Sequence, residues 1–231
     1  MTPLRHVRIE VALHELSARD GVPLLLLHAL GASSTAWGEL PGAWPGPVLG
    51  LDFSGHGASQ RLRGGVYLPE LLAGDVDTAL AEIGPAHLLG AGLGAYVALL
   101  VAGARPALVP GALLLPGRGL EGGGGEPDFD RPALVSATPA LHAPLPAGCD
   151  PCCCMLACDP RPPDYAARFA AAARRLVLCE DGTPRPPWWA AAGAAVGAEV
   201  VGGDQRAALA RLHAQGGAPP RPPSVLRPRR G

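Results

Sequence analysis

Residues Leu88–Gly103 constrain this chain more than any other stretch. They read Leu-Leu-Gly-Ala-Gly-Leu-Gly-Ala-Tyr-Val-Ala-Leu-Leu-Val-Ala-Gly. A short apolar strand over Ala86–Leu89 runs into three alternating glycines, Gly90, Gly92 and Gly94, and an apolar segment then continues to Val101. Gly103 and Pro106 close it. The pattern predicts a buried strand, a sharp turn and a buried helix. Glycines at alternate positions permit positive φ and let a strand and a helix approach closely.

Two kinds of site share this outline. One is the G-x-S-x-G turn that presents a serine nucleophile at the top of a sheet. The other is the dinucleotide fingerprint G-x-G-x-x-G/A, which Gly90, Gly92 and Ala95 match. In the first reading the nucleophile position falls on Gly92, which carries no side chain. The rest of the chain has to decide between them.

A chain of 231 residues that is 48% hydrophobic is long enough to bury the core of one α/β domain. Aromatic residues make up 4%, so the interior must be built of Leu, Val and Ala. A formal charge of −1 gives no support for a nucleic-acid or membrane-surface partner. The 19 basic residues are all arginine, which removes Schiff-base chemistry and a P-loop lysine. The first residues lack the apolar core of a signal peptide, and no apolar run reaches the ~20 residues of a membrane span, so a cytoplasmic protein is expected.

Along the chain, Val7, Ile9, Val11 and Leu13 alternate as in an edge strand or hairpin. Leu24–Leu27 is a continuous apolar run suited to a strand buried on both faces, and Val48–Leu51, Ala112–Leu115, Leu176–Cys179 and Glu199–Val201 read as further short strands. Between them, helices are predicted after Ser33 or Ser34 (carrying Trp37), over Leu68–Ile83, over Asp164–Arg175, over Pro187–Val196 and from Asp204 to Ala214. Strands separated by helices imply a parallel sheet covered on both faces, with its site at the carboxyl ends of the strands. Residues 1–215 form the predicted domain. A reduced lid is expected over about 117–163, and an unstructured Pro/Arg-rich tail over 216–231.

A dinucleotide fold puts its glycine turn after the first strand and an acid at the end of the next. Here the turn follows several strands, and Ala112–Leu115 runs into Pro116-Gly117-Arg118. The dinucleotide reading therefore loses. The alternative gains from four separated stretches. Leu24–Trp37 (LLLLHALGASSTAW) resembles the strand and oxyanion loop of α/β-hydrolases, and Leu51–Ser59 (LDFSGHGAS) resembles their D-x-x-G-x-G-x-S loop. Gly90–Tyr96 resembles the elbow, and Leu176–Asp181 (LVLCED) the strand that delivers the triad acid. The resemblance spans about residues 20–214 and implies the α/β-hydrolase fold: a mostly parallel central sheet, helices on both faces and a reduced lid.

Carried over position by position, the resemblance puts the nucleophile on Gly92 and the acid on Asp181, and Asp204 stands where the family has its histidine. Ser-His chemistry needs an oxygen nucleophile and an imidazole within reach of each other, so the standard mechanism is not expected. What remains is water activated by Asp181, Asp204 or His56 in the space left at Gly92. The oxyanion would be held by backbone donors among Leu93, Ala29 and Leu30, with His28 bracing that loop. Trp188 would wall an apolar pocket, and His142 in the lid is another candidate base. The resemblance implies a hydrolase of small ester-, lactone- or amide-type molecules. The alternative is an inactive member that binds a small apolar ligand or a partner protein. No cofactor is implied. Five of the six cysteines crowd into Cys149–Cys158, and Cys149, Cys152 and Cys158 have ligand-like spacing. No second motif completes four ligands, so no metal is expected, and the cysteines would serve as small buried hydrophobes.

Overall fold

The computed structural model describes residues 1–63, 66–122 and 148–214. The expected tail and most of the expected lid, including His142, lie outside the described residues.

The chain opens with β1 (Thr2–His6) and β2 (Ile9–Ser17), an antiparallel hairpin that turns at Val7, whose φ is +55°. Then come β3 (Leu24–Leu27), β4 (Val48–Asp52), helix α1 (Pro69–Ile83), β5 (His87–Ala91) and helix α2 (Leu93–Ala104). The second half runs β6 (Ala112–Leu115), α3 (Pro163–Ala172), β7 (Leu176–Glu180), α4 (Pro187–Gly193), β8 (Ala198–Gly202) and α5 (Gln205–Ala214). The strands make one eight-stranded sheet of order β1-β2-β4-β3-β5-β6-β7-β8. β2 pairs antiparallel with β4, and every pairing from β4 through to β8 is parallel.

The continuous apolar runs are explained by a sheet packed on both sides. Successive strand residues point to opposite faces. Leu25, Leu27, Leu88, Leu114 and Leu178 join the core shared with α1 and α2, whereas Leu24, Leu26, Leu89, Leu113 and Val177 join a second core under Trp44 and α5. Helix α2 is apolar all round because it is buried all round, from Leu93 through Ala102. Its approach to the sheet needs glycine: a Cβ on Gly94 would lie 2.5 Å from the Leu27 carbonyl carbon and 2.7 Å from the His28 carbonyl oxygen.

Helix α1 starts at Pro69, whose missing N–H is one the first turn would leave unpaired, and stops at Gly84 with φ +77°. Two expectations need correction. No α-helix follows Ser34: its amide is taken by the Asp52 carboxylate at 2.7 Å, and the segment runs through turns into a 3-10 helix over Leu40–Ala43. Helix α4 ends at Gly193 rather than Val196, because the chain turns through Gly197 (φ +91°) into β8. No helix among the described residues is long and apolar enough to cross a membrane.

Candidate functional site

The carboxyl ends of β3, β4, β5, β6, β7 and β8 bring together the loops that begin at His28, Phe53, Gly92, Pro116, Asp181 and Gly203. At the centre is Gly92, the single residue between β5 and α2, with φ +56° and ψ −118°. L-residues take this left-handed region only under strain.

The space beside Gly92 is occupied by the chain itself. The loop leaving β6 turns back across the elbow, so that a Cβ on Gly92 would collide with the Arg118 carbonyl oxygen and lie 2.7 Å from the Gly117 carbonyl carbon. That same Arg118 oxygen accepts two backbone hydrogen bonds, from the amide of Leu30 and from the amide of Leu93, each at 3.1 Å. These two amides are the oxyanion donors named from the sequence. They do converge on one point, but an internal carbonyl already fills it. This corrects the expectation of a water-sized space at Gly92.

The loop is held down by a buried arginine. Arg161, 6% exposed, uses all five of its N–H groups. Nε and Nη2 form a bidentate pair with Asp159 at 3.0 and 2.9 Å, Nη1 donates to the Gly119 and Leu120 carbonyls at 2.7 Å each, and Nη2 also reaches Leu156 O at 3.0 Å. The guanidinium lies 4.6 Å from the centre of the Tyr96 ring. Burial pushes the Asp159 carboxyl up, against the opposing pull of Arg161. Nothing in the sequence pattern singled out Arg161.

The predicted acids and bases are spread over separate tasks. Asp181 is exposed and closes its own turn, accepting Thr183 N at 3.0 Å, Thr183 Oγ1 at 2.7 Å and an ion pair from Arg185. The Thr183 bonds, with Arg185 behind them, hold its carboxyl down at about 2. Asp204 caps α5, accepting the amides of Arg206 at 2.9 Å and Ala207 at 3.1 Å. Among the described residues no hydrogen bond or ion pair joins the two acids. His213, exposed on α5, packs edge-on against the buried Trp44.

His28 is a brace. Its Nδ1–H donates to Ala29 O at 2.9 Å, and Nε2 accepts the Phe53 amide at 3.1 Å. Burial, with His56 next to it, takes its pKa down to about 3, so the ring is neutral. Ala29 contributes its carbonyl to that bond and to the amide of Ala32. Trp188 is core rather than pocket wall: it is 1% exposed, packs edge-on against Tyr96 and Trp189, and donates Nε1–H to Leu120 O at 2.9 Å.

His56 is fully buried, and it has unexpected company. The backbone over Gly148–Asp150 lies antiparallel to the loop after β4: Gly57 N donates to Gly148 O at 3.1 Å, Asp150 N donates to Gly55 O at 2.7 Å, and His56 is paired with Cys149. One turn later, in a 3-10 helix over Pro151–Ala157, Cys153 puts its Sγ 3.8 Å from His56 Nδ1. One ligand-type atom each from His56, Cys149 and Cys153 lies within 4.8 Å of the other two. The hydrogen bond from Cys153 takes the Cys149 thiol down to about 5, with His56 adding to it and burial opposing, while the Cys153 thiol is pushed up. The sequence spacing pointed instead to Cys152, which is exposed, and Cys158.

Comparison with known proteins agrees with this fold. The sequence matches no protein-family model. It is 34% identical over 117 residues to the dihydrolipoyllysine-residue acetyltransferase component of the acetoin cleaving system of Pseudomonas putida. That match takes in 46% of this chain and only 30% of the relative. Among solved structures, a thioesterase domain from the curacin biosynthetic pathway superposes with a TM-score of 0.66 at 19% identity, over 91% of this chain and 97% of that one. A hydrolase from Pseudomonas aeruginosa gives 0.64 at 19% identity, over 88% and 94% of the two chains. Est816, described as an N-acyl homoserine lactone degrading enzyme, gives 0.62 at 18% identity, over 87% and 91%. The protein has the α/β-hydrolase fold.

Proposed function

We propose that this chain is a non-hydrolytic α/β-hydrolase-fold protein whose role is to bind rather than to turn over. One observation carries the reading. The Arg118 carbonyl oxygen occupies the point on which the Leu30 and Leu93 amides converge, so the electrostatic stabilisation an acyl transition state needs is spent on the protein's own backbone. Two further facts support it: Gly92 supplies no nucleophile, and Asp204, in place of a histidine, is committed to a helix cap. An acyl group entering this site would have to displace a loop fixed by the fully satisfied Arg161. The ligand class that suits the scaffold is a small apolar molecule or a partner protein.

The second reading is acyl chemistry by an unusual route. It is favoured by the solved relatives, which are hydrolases and a thioesterase, and by the partial match to an acetyltransferase component. A fluorophosphonate probe with a panel of short-chain esters, thioesters and lactones separates the two. The binding reading expects neither labelling nor turnover, and a thermal shift with some member of a set of acyl and aromatic compounds. Steady turnover that disappears in the Asp181→Asn/Asp204→Asn double variant would replace it with the hydrolytic one.

A further inference from the structure

We propose that His56, Cys149 and Cys153 form a zinc site that fastens the segment 148–157 onto the loop following β4. The donors are two thiols and an imidazole, the set that favours zinc over calcium or magnesium. Two thiolates and a neutral imidazole around a divalent ion sum to zero charge. This matters because all three residues are buried, at 0%, 4% and 0% exposure, and a net charge there would go unsolvated. A monovalent soft ion such as copper(I) would leave a net negative charge in the same place.

The geometry is set up by bonds that do not involve the three donors' side chains. The antiparallel pairing of residues 55–57 with 148–150 places Cys149 opposite His56. Asp150 then caps the 3-10 helix, its Oδ1 accepting the Cys152 amide at 3.0 Å and its Oδ2 accepting the Tyr67 hydroxyl at 2.9 Å, which brings Cys153 back over the same point. Tetrahedral zinc with bonds of about 2.0–2.3 Å puts its ligand atoms roughly 3.5–3.8 Å apart, close to the 3.8 Å between His56 Nδ1 and Cys153 Sγ.

The imidazole offers one defined atom to this point. Nδ1 is the donor nitrogen, since it is the one that lies 3.8 Å from Cys153 Sγ, and it also stands 3.2 Å from the Ser54 carbonyl oxygen. Three protein donors leave the fourth tetrahedral position to water. The proposal is independent of whether the elbow is catalytic.

The test uses the full-length, reduced, chelator-stripped protein. Zinc is titrated against a chromogenic chelator, and cobalt(II) is substituted to read thiolate-to-metal charge transfer and tetrahedral d–d bands. One tight ion per chain and a thiolate signature are expected. The signature should fall by about half in Cys153→Ser and in Cys149→Ser, one thiolate of two, and stay unchanged in Cys152→Ser and Cys154→Ser. His56→Gln should weaken zinc binding at least ~10-fold. The cobalt spectrum of the unaltered chain needs no variant to fold: absence of charge transfer there overturns the proposal. So does a signal that follows Cys152 or Cys158 instead of Cys153.

Discussion

The carbonyl oxygen of Arg118 accepts the amide of Leu93 at 3.1 Å, and in doing so closes the elbow from within. In a hydrolase of this fold the amide after the nucleophile is kept for the developing oxyanion. Here it is part of the ground-state fold, and the same oxygen also takes Leu30. The absence of a side chain at Gly92 and the path of the Gly117–Arg118 backbone are therefore one structural fact: the loop lies where a serine would need to be.

Restoring the serine should damage the fold rather than create an enzyme. Gly92→Ser puts a Cβ into the Arg118 carbonyl at a φ of +56°. Backbone strain and overpacking of this kind each cost about 1–3 kcal/mol. Urea denaturation should show a loss of at least that size, and the ester panel should stay silent because no imidazole is placed to act as base. Full stability in Gly92→Ser would mean the loop gives way easily.

Removing the guanidinium should loosen the same loop. Arg161→Ala strands the buried Asp159 carboxylate and frees the Gly119 and Leu120 carbonyls. Breaking a buried pair from one side costs about 3–5 kcal/mol. Arg161→Met with Asp159→Leu should recover much of that, since no lone buried charge remains. Denaturation of the single and double variants measures both, and amide exchange at Leu30 and Leu93 should quicken in each.

Asp181 and Asp204 should act locally. Asp204→Ala removes a helix cap and should cost about 0.5–2 kcal/mol, by urea denaturation, with amide exchange at Leu30 and Leu93 unchanged. Asp181→Asn loses an exposed turn and should leave the denaturation midpoint nearly unchanged at neutral pH.

Stability should depend on pH through His6. His6 Nδ1 is 2.6 Å from the buried Asp75 carboxylate, which also accepts Ser54 N and Oγ. The hydrogen bond to Asp75 raises the His6 pKa above its ordinary value, with burial opposing. A raised pKa means the folded state holds the proton more tightly, so the stabilisation is complete below about 6.5 and disappears as pH rises through the folded value. The stability difference between wild type and His6→Gln should follow that curve. NMR titration should find His6 titrating above 6.5 while His28, driven to about 3 chiefly by burial, stays neutral.

Much of the sheet was legible because burial on both faces leaves an unmistakable run of Leu and Val. Leu24–Leu27 and Ala112–Leu115 were delimited residue for residue. The elbow was legible because close approach of α2 to β3 demands glycine at position 94. The absent helix after Ser34 was not, since the Asp52 carboxylate that claims the Ser34 amide comes from another strand. The closure of the elbow was hidden for a different reason. It is made by a backbone carbonyl, which has no residue signature; Gly117 and Gly119 flanking Arg118 are the only trace of it. His56, Cys149 and Cys153 meet across two distant segments, and the local C-x-x-C spacing drew attention to Cys152 instead.

The most direct measurement follows the Leu30 and Leu93 amides by NMR, recording hydrogen exchange and their response to a boronate or trifluoromethyl ketone that mimics an acyl oxyanion. The closed-elbow account predicts slow exchange at both amides, a through-hydrogen-bond coupling from each to the Arg118 carbonyl, and no shift on adding the mimic. Fast exchange, with saturable shifts at both amides as the mimic is added, would contradict it and return the site to acyl chemistry.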